Sequence, residues 1–300
     1  MKWYDDADLV AELPLRYRAY AAYSALLGTG RSRRVPGGSF MLRLLRDASA
    51  LAGAPTIARI RGIDGLTVVT DFADERVLEV IHEIRGENPE YEVMKSLLSE
   101  GDTFVDVGAN FGTFSLLASR IVGASGIVIA VEPPERLAAM IEESLTLSEI
   151  QHCRVERVAC GSASGERTLL VPADDSGRAG FFAGFSARPG HAKQSVTVKT
   201  LDELIQRHGG SPPALIKIDV EGSEIDVLDG AESTIRQFMP AILVELNRWS
   251  AEAAGRTTDD VMERLGSFGY SSFSSTEAYP RKLDPRELRG DKQVNVVAIR

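Results

Sequence analysis

The segment from Asp102 to Gly112 constrains the fold more than any other part of this 300-residue chain. Residues 103–107, apart from Asp106, are apolar or β-branched and predict a buried strand, and a glycine-containing turn then leads into a helix-like apolar pattern. A second apolar strand ends at Glu132, about twenty residues after the turn, where a βαβ nucleotide fold places the acid that binds a ribose. We therefore expect a nucleotide-type cofactor at this turn.

The residues of the turn favour S-adenosylmethionine over a dinucleotide. The spacing is Asp106-x-Gly108-x-Asn110-x-Gly112, which differs from the G-x-G-x-x-G turn that receives pyrophosphate and argues against an NAD-linked reductase. S-adenosylmethionine has an ammonium and a ribose diol but no phosphate, so acidic groups near its two ends are favourable. We expect Asp106 near the ammonium, the glycine loop under the methionine moiety, and Glu132 on the ribose.

Candidate strands recur along the chain at the spacing of an α/β domain. Helix-like segments separate most of them, and this alternation predicts a parallel sheet with right-handed crossovers and helices on both faces. The last two candidates predict an antiparallel pair at the sheet edge. The seven strands are expected near 103–108, 126–131, 154–160, 214–220, 241–246, 270–274 and 294–299.

The chain divides into an N-terminal α+β extension, residues 1–85, and a main domain, residues 86–300. The main domain has an insert near 165–199, whose Gly- and Phe-rich part at 174–190 is either an acceptor-binding flap or a surface loop. The extension is expected to contain helices near 7–27 and 39–52 and a short antiparallel pair at 56–60 and 65–71.

A second group of acids follows the fourth and fifth predicted strands. Because parallel strands end at the same edge of a sheet, Asp219, Glu221 and Glu245 should converge with the acids of the first two strands. Asp219 or Glu221 is the candidate base for a hydroxyl acceptor, and Glu245 is a third candidate. A divalent cation held by Asp219 and Glu221 is the alternative means of lowering the hydroxyl pKa. Lys217, inside a buried strand, is interpreted as a structural ion-pair partner.

Taken together, these motifs resemble the FkbM-type S-adenosylmethionine-dependent methyltransferases. The similarity rests on Asp106–Gly112, Val131–Pro133, Thr200–Leu204, Ile216–Gly222 with Leu228–Ala231, and Val244–Asn247, which occur in the family's order. The resemblance implies a Rossmann-like class I methyltransferase fold with strand order 3-2-1-4-5-7-6. It also implies methyl transfer, commonly to hydroxyls of sugars, glycolipids or polyketide-type natural products. The cofactor contacts expected on this basis are Glu92, Asp106, Gly108, Asn110, Phe111, Gly112, Glu132, Pro133, Ala159, Cys160 and Asp219.

The composition limits the kinds of binding partner that we expect for this chain. Lys and Arg number 34 against 43 Asp and Glu, a net charge of −9, which disfavours general nucleic-acid binding. No apolar stretch is long enough to span a membrane, and Cys153 and Cys160 lack metal-type spacing and are expected to be free thiols. We expect a cytoplasmic enzyme that acts on a hydroxyl of a small molecule or glycan. The sequence leaves open whether the enzyme forms a homodimer. The alternatives are an N-methyltransferase or nucleic-acid methyltransferase of the same fold, or a non-catalytic cofactor-binding protein.

Overall fold

The computed structural model describes residues 56–187, 190–284 and 293–300. The helices expected near 7–27 and 39–52 lie outside the described residues. Across these three ranges, no helix combines the length and the apolar character that crossing a membrane requires.

The strands of the described residues form three sheets, with two, seven and three strands. The longer sequence segments that alternate or run apolar become these strands, as their β-branched content favours. In chain order they are β1 Ile57–Arg61, β2 Thr67–Asp71, β3 Thr103–Val107, β4 Ile127–Val131, β5 Cys153–Glu156, β6 Ala159–Cys160, β7 Gly165–Val171, β8 Ala192–Lys199, β9 Pro213–Ile218, β10 Ala241–Asn247, β11 Ser272–Ser275 and β12 Gln293–Ile299.

Several helices begin at side-chain caps that the sequence supplies. Asn88 accepts a 2.7 Å hydrogen bond from the backbone N–H of Tyr91 at the start of a helix whose first residue is Pro89. Thr257 and Asp260 form a reciprocal capping box. The α-helices are α1 Val77–Ile84, α2 Pro89–Leu97, α3 Thr113–Val122, α4 Glu135–Leu147, α5 Ala183–Ser186, α6 Leu201–Arg207, α7 Glu224–Gly230, α8 Glu232–Phe238, α9 Arg248–Ala253 and α10 Thr258–Phe268.

The seven-stranded sheet has the order β11-β12-β10-β9-β3-β4-β5. From β5 to β10 all neighbours are parallel, whereas β12 is antiparallel to both β10 and β11. Counted along the chain, these strands run 3-2-1-4-5-7-6 from β5 to β11, the order that the family resemblance implies. The predicted α/β class with a mostly parallel sheet is confirmed, and β3, β4, β9 and β10 end at one edge.

The prediction of a single strand at 154–160 is wrong, because the chain passes from one sheet to another within this segment. Residues Cys153–Glu156 pair with β4, whereas Ala159–Cys160 pair with β8 in the three-stranded sheet. At the point of departure the buried Glu156 carboxylate accepts a 2.8 Å hydrogen bond from Arg207 and lies 2.7 Å from the His208 ring. The sequence does not reveal this break, because no glycine or proline separates Glu156 from Ala159.

The antiparallel pair expected in the N-terminal extension is present as β1 and β2, with Ile57 opposite Asp71. It packs on α4, where the backbone N–H of Val69 donates to Ser144 Oγ at 2.8 Å. The buried apolar side chains described in this pair and in α1 belong to the same hydrophobic cluster as Phe104 of β3. Residues 56–85 therefore share a core with the central sheet, and the domain boundary at residue 85 stays a prediction.

The predicted insert at 165–199 is largely a β-hairpin. Strands β7 and β8 pair antiparallel from Gly165 opposite Val198 to Val171 opposite Ala192. Residues within 176–181, between the two strands, line the crevice at the edge at which the parallel strands end, and the short helix α5 follows them. The hairpin thus carries its connecting segment onto the candidate site.

Candidate active site

A crevice lies at the carboxyl ends of β3, β4 and β9, where open parallel sheets bind ligands. Its empty volume is about 660 Å³, including space open to solvent at its mouth. We call it the first crevice. Its polar lining includes Arg76, Asn110, Glu132, Ser176, Asp219, Glu221 and Ser223, and its apolar lining includes Val107, Val131, Pro133, Val158, Ala159, Leu169 and Phe181.

The glycine loop after β3 is shaped by close packing. Gly108 has φ +82°, and a Cβ at this position would lie 1.9 Å from the carbonyl oxygen of Asp219. A side chain here would therefore push apart the turns that follow β3 and β9. Asn110 also has a positive φ, +54°, which asparagine tolerates better than most residues. The loop consequently brings the two turns together on one wall of the first crevice.

Glu132, at the end of β4, holds this loop in place with a hydrogen bond. Its carboxylate accepts a 2.6 Å hydrogen bond from the backbone N–H of Asn110, and the residue is only 5% exposed. Burial raises the pKa of Glu132 to about 7, although the hydrogen bond from Asn110 opposes the shift. The side chain faces the first crevice, so a bound polyol could supply the hydrogen bonds that favour its ionised form.

Asp106 and Lys217 form a buried ion pair behind the glycine loop. Asp106 accepts a 2.6 Å hydrogen bond from Ser115, and the Lys217 ammonium lies 3.8 Å from Asp106 and 3.1 Å from Asp219. Burial would lower the pKa of Lys217, but Asp219 and Asp106 outweigh it and raise the pKa. Lys217 therefore remains an ammonium, consistent with its predicted structural ion pair.

Three carboxylates meet at the junction of β9 and β10. One oxygen from each of Asp219, Glu221 and Glu245 lies within 4.8 Å of the others. Asn247 donates to Glu221 at 3.1 Å, and Gln293 donates to Glu245 at 2.5 Å. We call Asp219, Glu221 and Glu245 the acid trio.

The members of the acid trio differ in protonation. Burial alone would raise the pKa of Asp219, but Lys217 and Arg76 outweigh it and lower the pKa. Burial followed by the charge of Asp219 raises the pKa of Glu245 to about 8. Burial and then the charge of Glu245 raise the pKa of Glu221 well above its ordinary value. Asp219 is therefore the member that ionises most readily, whereas Glu245 and Glu221 are shifted toward their protonated forms.

A second crevice opens beside the first, over β9, β10 and β12. Of its lining residues, only Arg76 and Asp219 also line the first crevice. Its empty volume is about 1770 Å³, again including space open to solvent. Glu245 lies on this side of the junction, whereas Glu221 lies on the first side. The two crevices therefore meet at one carboxylate and one guanidinium.

Arg76 reaches this junction from the loop before α1. Its guanidinium lies 3.0 Å from Glu83 and 3.2 Å from Glu79, both on α1. Asp74 holds the local turn by accepting hydrogen bonds from the backbone N–H groups of Arg76 at 2.9 Å and Ser176 at 3.0 Å. A residue of the predicted extension thus forms part of the site, and the spacing of sequence motifs gave no signal for it.

The segment between β7 and β8 covers the first crevice. Ser176 and Phe181 line it, and the Ser176 hydroxyl accepts a 3.1 Å hydrogen bond from Asn110 Nδ2. The Arg167 guanidinium stacks 3.9 Å from the centre of the Phe181 ring. The flap expected to contact an acceptor therefore lies against the crevice where the cofactor is expected.

The structure brings most of the predicted site residues together. Phe111 and Gly112 lie behind the glycine loop with Asp106, and Glu92 is exposed on α2, where it pairs with Lys95 at 2.8 Å. These four residues are outside the lining of both crevices. The predicted residues that line the first crevice are Gly108, Asn110, Glu132, Pro133, Ala159, Cys160, Asp219 and Glu221.

Comparison with known proteins identifies the class. The methyltransferase FkbM domain family matches residues 106–272, more than half of the chain, and this chain belongs to that family. A relative is the hexuronic acid methyltransferase AglP of Haloferax volcanii, 29% identical over 216 residues that cover 68% of this chain and 80% of the relative.

Solved structures of methyltransferases are more distant. A methyltransferase FkbM from Methylobacillus flagellatus has a TM-score of 0.42 at 16% identity, over 87% of this chain and 60% of the other. A SAM-dependent methyltransferase from Aquifex aeolicus has a TM-score of 0.41 at 14% identity, over 76% of this chain and 94% of the other. This chain thus spans 60% of the length of the Methylobacillus protein chain.

Proposed function

We propose that this protein transfers a methyl group from S-adenosylmethionine to a hydroxyl of a sugar or glycan. The observation that carries the proposal is the junction of two crevices at Asp219 and Arg76. One crevice has the chemistry of a nucleoside site and the other is polar and open. A methyl donor and a hydroxyl bound on either side would meet at an ionised carboxylate.

The first crevice fits S-adenosylmethionine by the chemistry of its lining. Glu132 would accept hydrogen bonds from the ribose hydroxyls, and Val158, Ala159 and Leu169 would contact the adenine. Asp219 and Glu221 would lie toward the amino-acid end and the sulfonium. The paired carboxylates and the short glycine loop would disfavour the phosphates of a dinucleotide.

The catalytic role falls to the acid trio. When bound, S-adenosylmethionine supplies an electrophilic methyl, whose carbon–sulfur bond breaks as the bond to the acceptor oxygen forms. Asp219 would accept the hydroxyl proton, and Glu245, which is hydrogen-bonded to Asp219, would hold its own proton and keep the pair singly charged. The positive charge of Arg76 would help to hold the Asp219 carboxylate at the junction. Positioning of the hydroxyl in line with the methyl would supply the remaining rate enhancement.

A divalent cation is the second way in which the trio could act. Three carboxylates within 4.8 Å offer the hard oxygen ligands that Mg²⁺ and Ca²⁺ prefer. Asp219, Glu221 and Glu245 would hold the cation, which would lower the hydroxyl pKa. Transfer that survives excess EDTA supports the proton-acceptor role of Asp219, and transfer that EDTA abolishes and Mg²⁺ restores supports the cation.

The hydroxyl acceptor is favoured by the relative, which is named as a hexuronic acid methyltransferase, and by the polar second crevice. The other candidate class is a methyltransferase that acts on nitrogen or on nucleic acid. The acidic lining would repel the phosphates of a nucleic acid. Calorimetric titration with S-adenosylmethionine tests the donor, with Glu132→Ala as the crevice variant and the exposed Glu263→Gln as its control. Absence of binding to the wild-type protein would refute the proposal, and binding without transfer to any hydroxylated acceptor would favour a non-catalytic cofactor-binding protein.

A further inference from the structure

The second crevice has the shape and lining of a site for a polar molecule larger than a single small group. It is more than twice as large as the first crevice, with about 1770 Å³ against about 660 Å³. Side chains reach it from three separate elements: Glu90 at the start of α2, Glu245 on β10, and Asn295 on β12. The described structure thus presents fixed polar groups on several sides of one space.

These groups are held in place before any ligand binds. The Glu90 carboxylate accepts hydrogen bonds of 2.8 Å from both Thr276 Oγ1 and Asn295 Nδ2. Gln293 similarly donates to Glu245 at 2.5 Å. A carboxylate or amide held in this way can accept from hydroxyls of a ligand through its remaining lone pairs. Such planar, fixed acceptors suit adjacent hydroxyl groups of a sugar ring.

Two of the three cations among the described lining residues of the second crevice are paired with carboxylates. Arg76 pairs with Glu79 and Glu83, and Lys217 pairs with Asp106 and Asp219. Arg281, the other cation among the described lining residues, also has an interaction partner. An anionic ligand would lose hydration on entering and would meet an excess of carboxylates.

We propose that the second crevice binds an uncharged polyhydroxy acceptor, a neutral sugar residue of a glycoside or glycan. The methylated hydroxyl lies against Asp219, and neighbouring hydroxyls donate to Glu90 and Glu245. This inference rests on the proposed function and narrows its acceptor, because a uronic acid or a sugar phosphate would bring a negative charge to the acidic lining.

Matched acceptors test the charge requirement with the wild-type protein. 4-Nitrophenyl glucoside and glucuronide, and the corresponding galactoside and galacturonide, differ within each pair only at the sixth carbon. With labelled S-adenosylmethionine, we expect kcat/KM for at least one neutral sugar to exceed that of its uronide by about tenfold or more. Faster transfer to the uronides would overturn the inference and leave the proposed function intact. Lack of transfer to all four sugars, with the donor bound, would count against both.

Substitution of Glu90 tests the location. Glu90→Ala should raise the acceptor KM about tenfold, with kcat and the Kd for S-adenosylmethionine nearly unchanged, because Glu90 lines only the second crevice. Glu90→Gln keeps the shape of the side chain and should give a smaller rise. The exposed Glu263→Gln on α10 is the control for a lost surface charge, and thermal denaturation checks the folding of each variant. An unchanged acceptor KM in a folded Glu90→Ala protein would overturn the assignment of the crevice.

Discussion

Glu132 shows how one buried carboxylate can serve both the fold and a ligand. Its hydrogen bond from Asn110 closes the glycine loop, and its burial keeps the pKa near 7. A ligand that donates hydrogen bonds to this carboxylate must favour the ionised form. Binding and proton release are therefore linked at this residue.

The affinity for S-adenosylmethionine should accordingly depend on pH. Below pH 7 Glu132 is mostly protonated in the free protein, and its ionised form accepts more strongly from the ribose, so affinity should fall by up to about tenfold between pH 8 and pH 6. Calorimetry at the two pH values measures this change. Glu132→Gln should bind more weakly at pH 8 and lose most of the dependence. A wild-type affinity that is equal at both values, or higher at pH 6, would show that Glu132 does not ionise on binding.

Asp219 and its neighbours illustrate what sequence can predict at the residue scale. The position of Asp219 after an apolar strand placed it at the correct edge of the sheet, because parallel strands end together. Arg76 carries no such signal, since its place at the junction depends on the turn that Asp74 and Ser176 hold. The family resemblance likewise predicts a cofactor contact for Glu92, but its side chain faces solvent and pairs with Lys95.

At the scale of elements, the hairpin β7–β8 is the part that the sequence described least well. The sequence predicts only an insert, whose glycine- and phenylalanine-rich part is either an acceptor-binding flap or a surface loop. In the structure, Ser176 from this segment contacts Asn110 of the glycine loop and Asp74 of the extension. Long-range contacts of this kind connect segments far apart in sequence, so local patterns do not encode them.

The Ser176 contact should contribute to cofactor binding. Ser176→Ala removes the hydroxyl that accepts from Asn110 but keeps the backbone bond to Asp74, so the Kd for S-adenosylmethionine should rise about threefold to tenfold with little change in Tm. Ser164→Ala, which removes an exposed hydrogen bond to Glu203 just outside the insert, is the matched control. Equal affinities of the two variants would mean that the segment covers the crevice without stabilising its ligand.

At the scale of the whole molecule, the fold concentrates buried acids at one edge of the sheet. Burial raises the pKa of Glu132 and Glu224 to about 7 and that of Glu245 to about 8. In the unfolded chain these carboxyls titrate near pH 4.5. Between pH 4.5 and 8 the folded protein therefore binds more protons, and its free energy of unfolding must fall as pH rises. Asp219, whose pKa is lowered, affects stability only at more acidic pH.

The protein without ligands should thus be more stable at pH 5.5 than at pH 8.5. We expect Tm in EDTA to fall by at least about 4 °C over this interval. In chains of 150–250 residues, a loss of 1 kcal/mol in the free energy of unfolding lowers Tm by about 2–4 °C. Glu224→Gln keeps the acceptor for the N–H of Gly222 but removes one titrating carboxyl group. The fall in Tm should therefore be smaller in this variant. A Tm that is constant or rises with pH would contradict the raised pKa values.

The central claim is that Asp219 joins a donor site to an acceptor site. The most direct test is single-turnover transfer of labelled methyl to a sugar acceptor by wild type and Asp219→Asn, both saturated with S-adenosylmethionine. Asparagine preserves the shape of the side chain but cannot accept the proton, so the rate should fall about 10²-fold to 10⁴-fold, with donor affinity changed by less than about tenfold. Equal transfer rates in the two proteins would contradict the account.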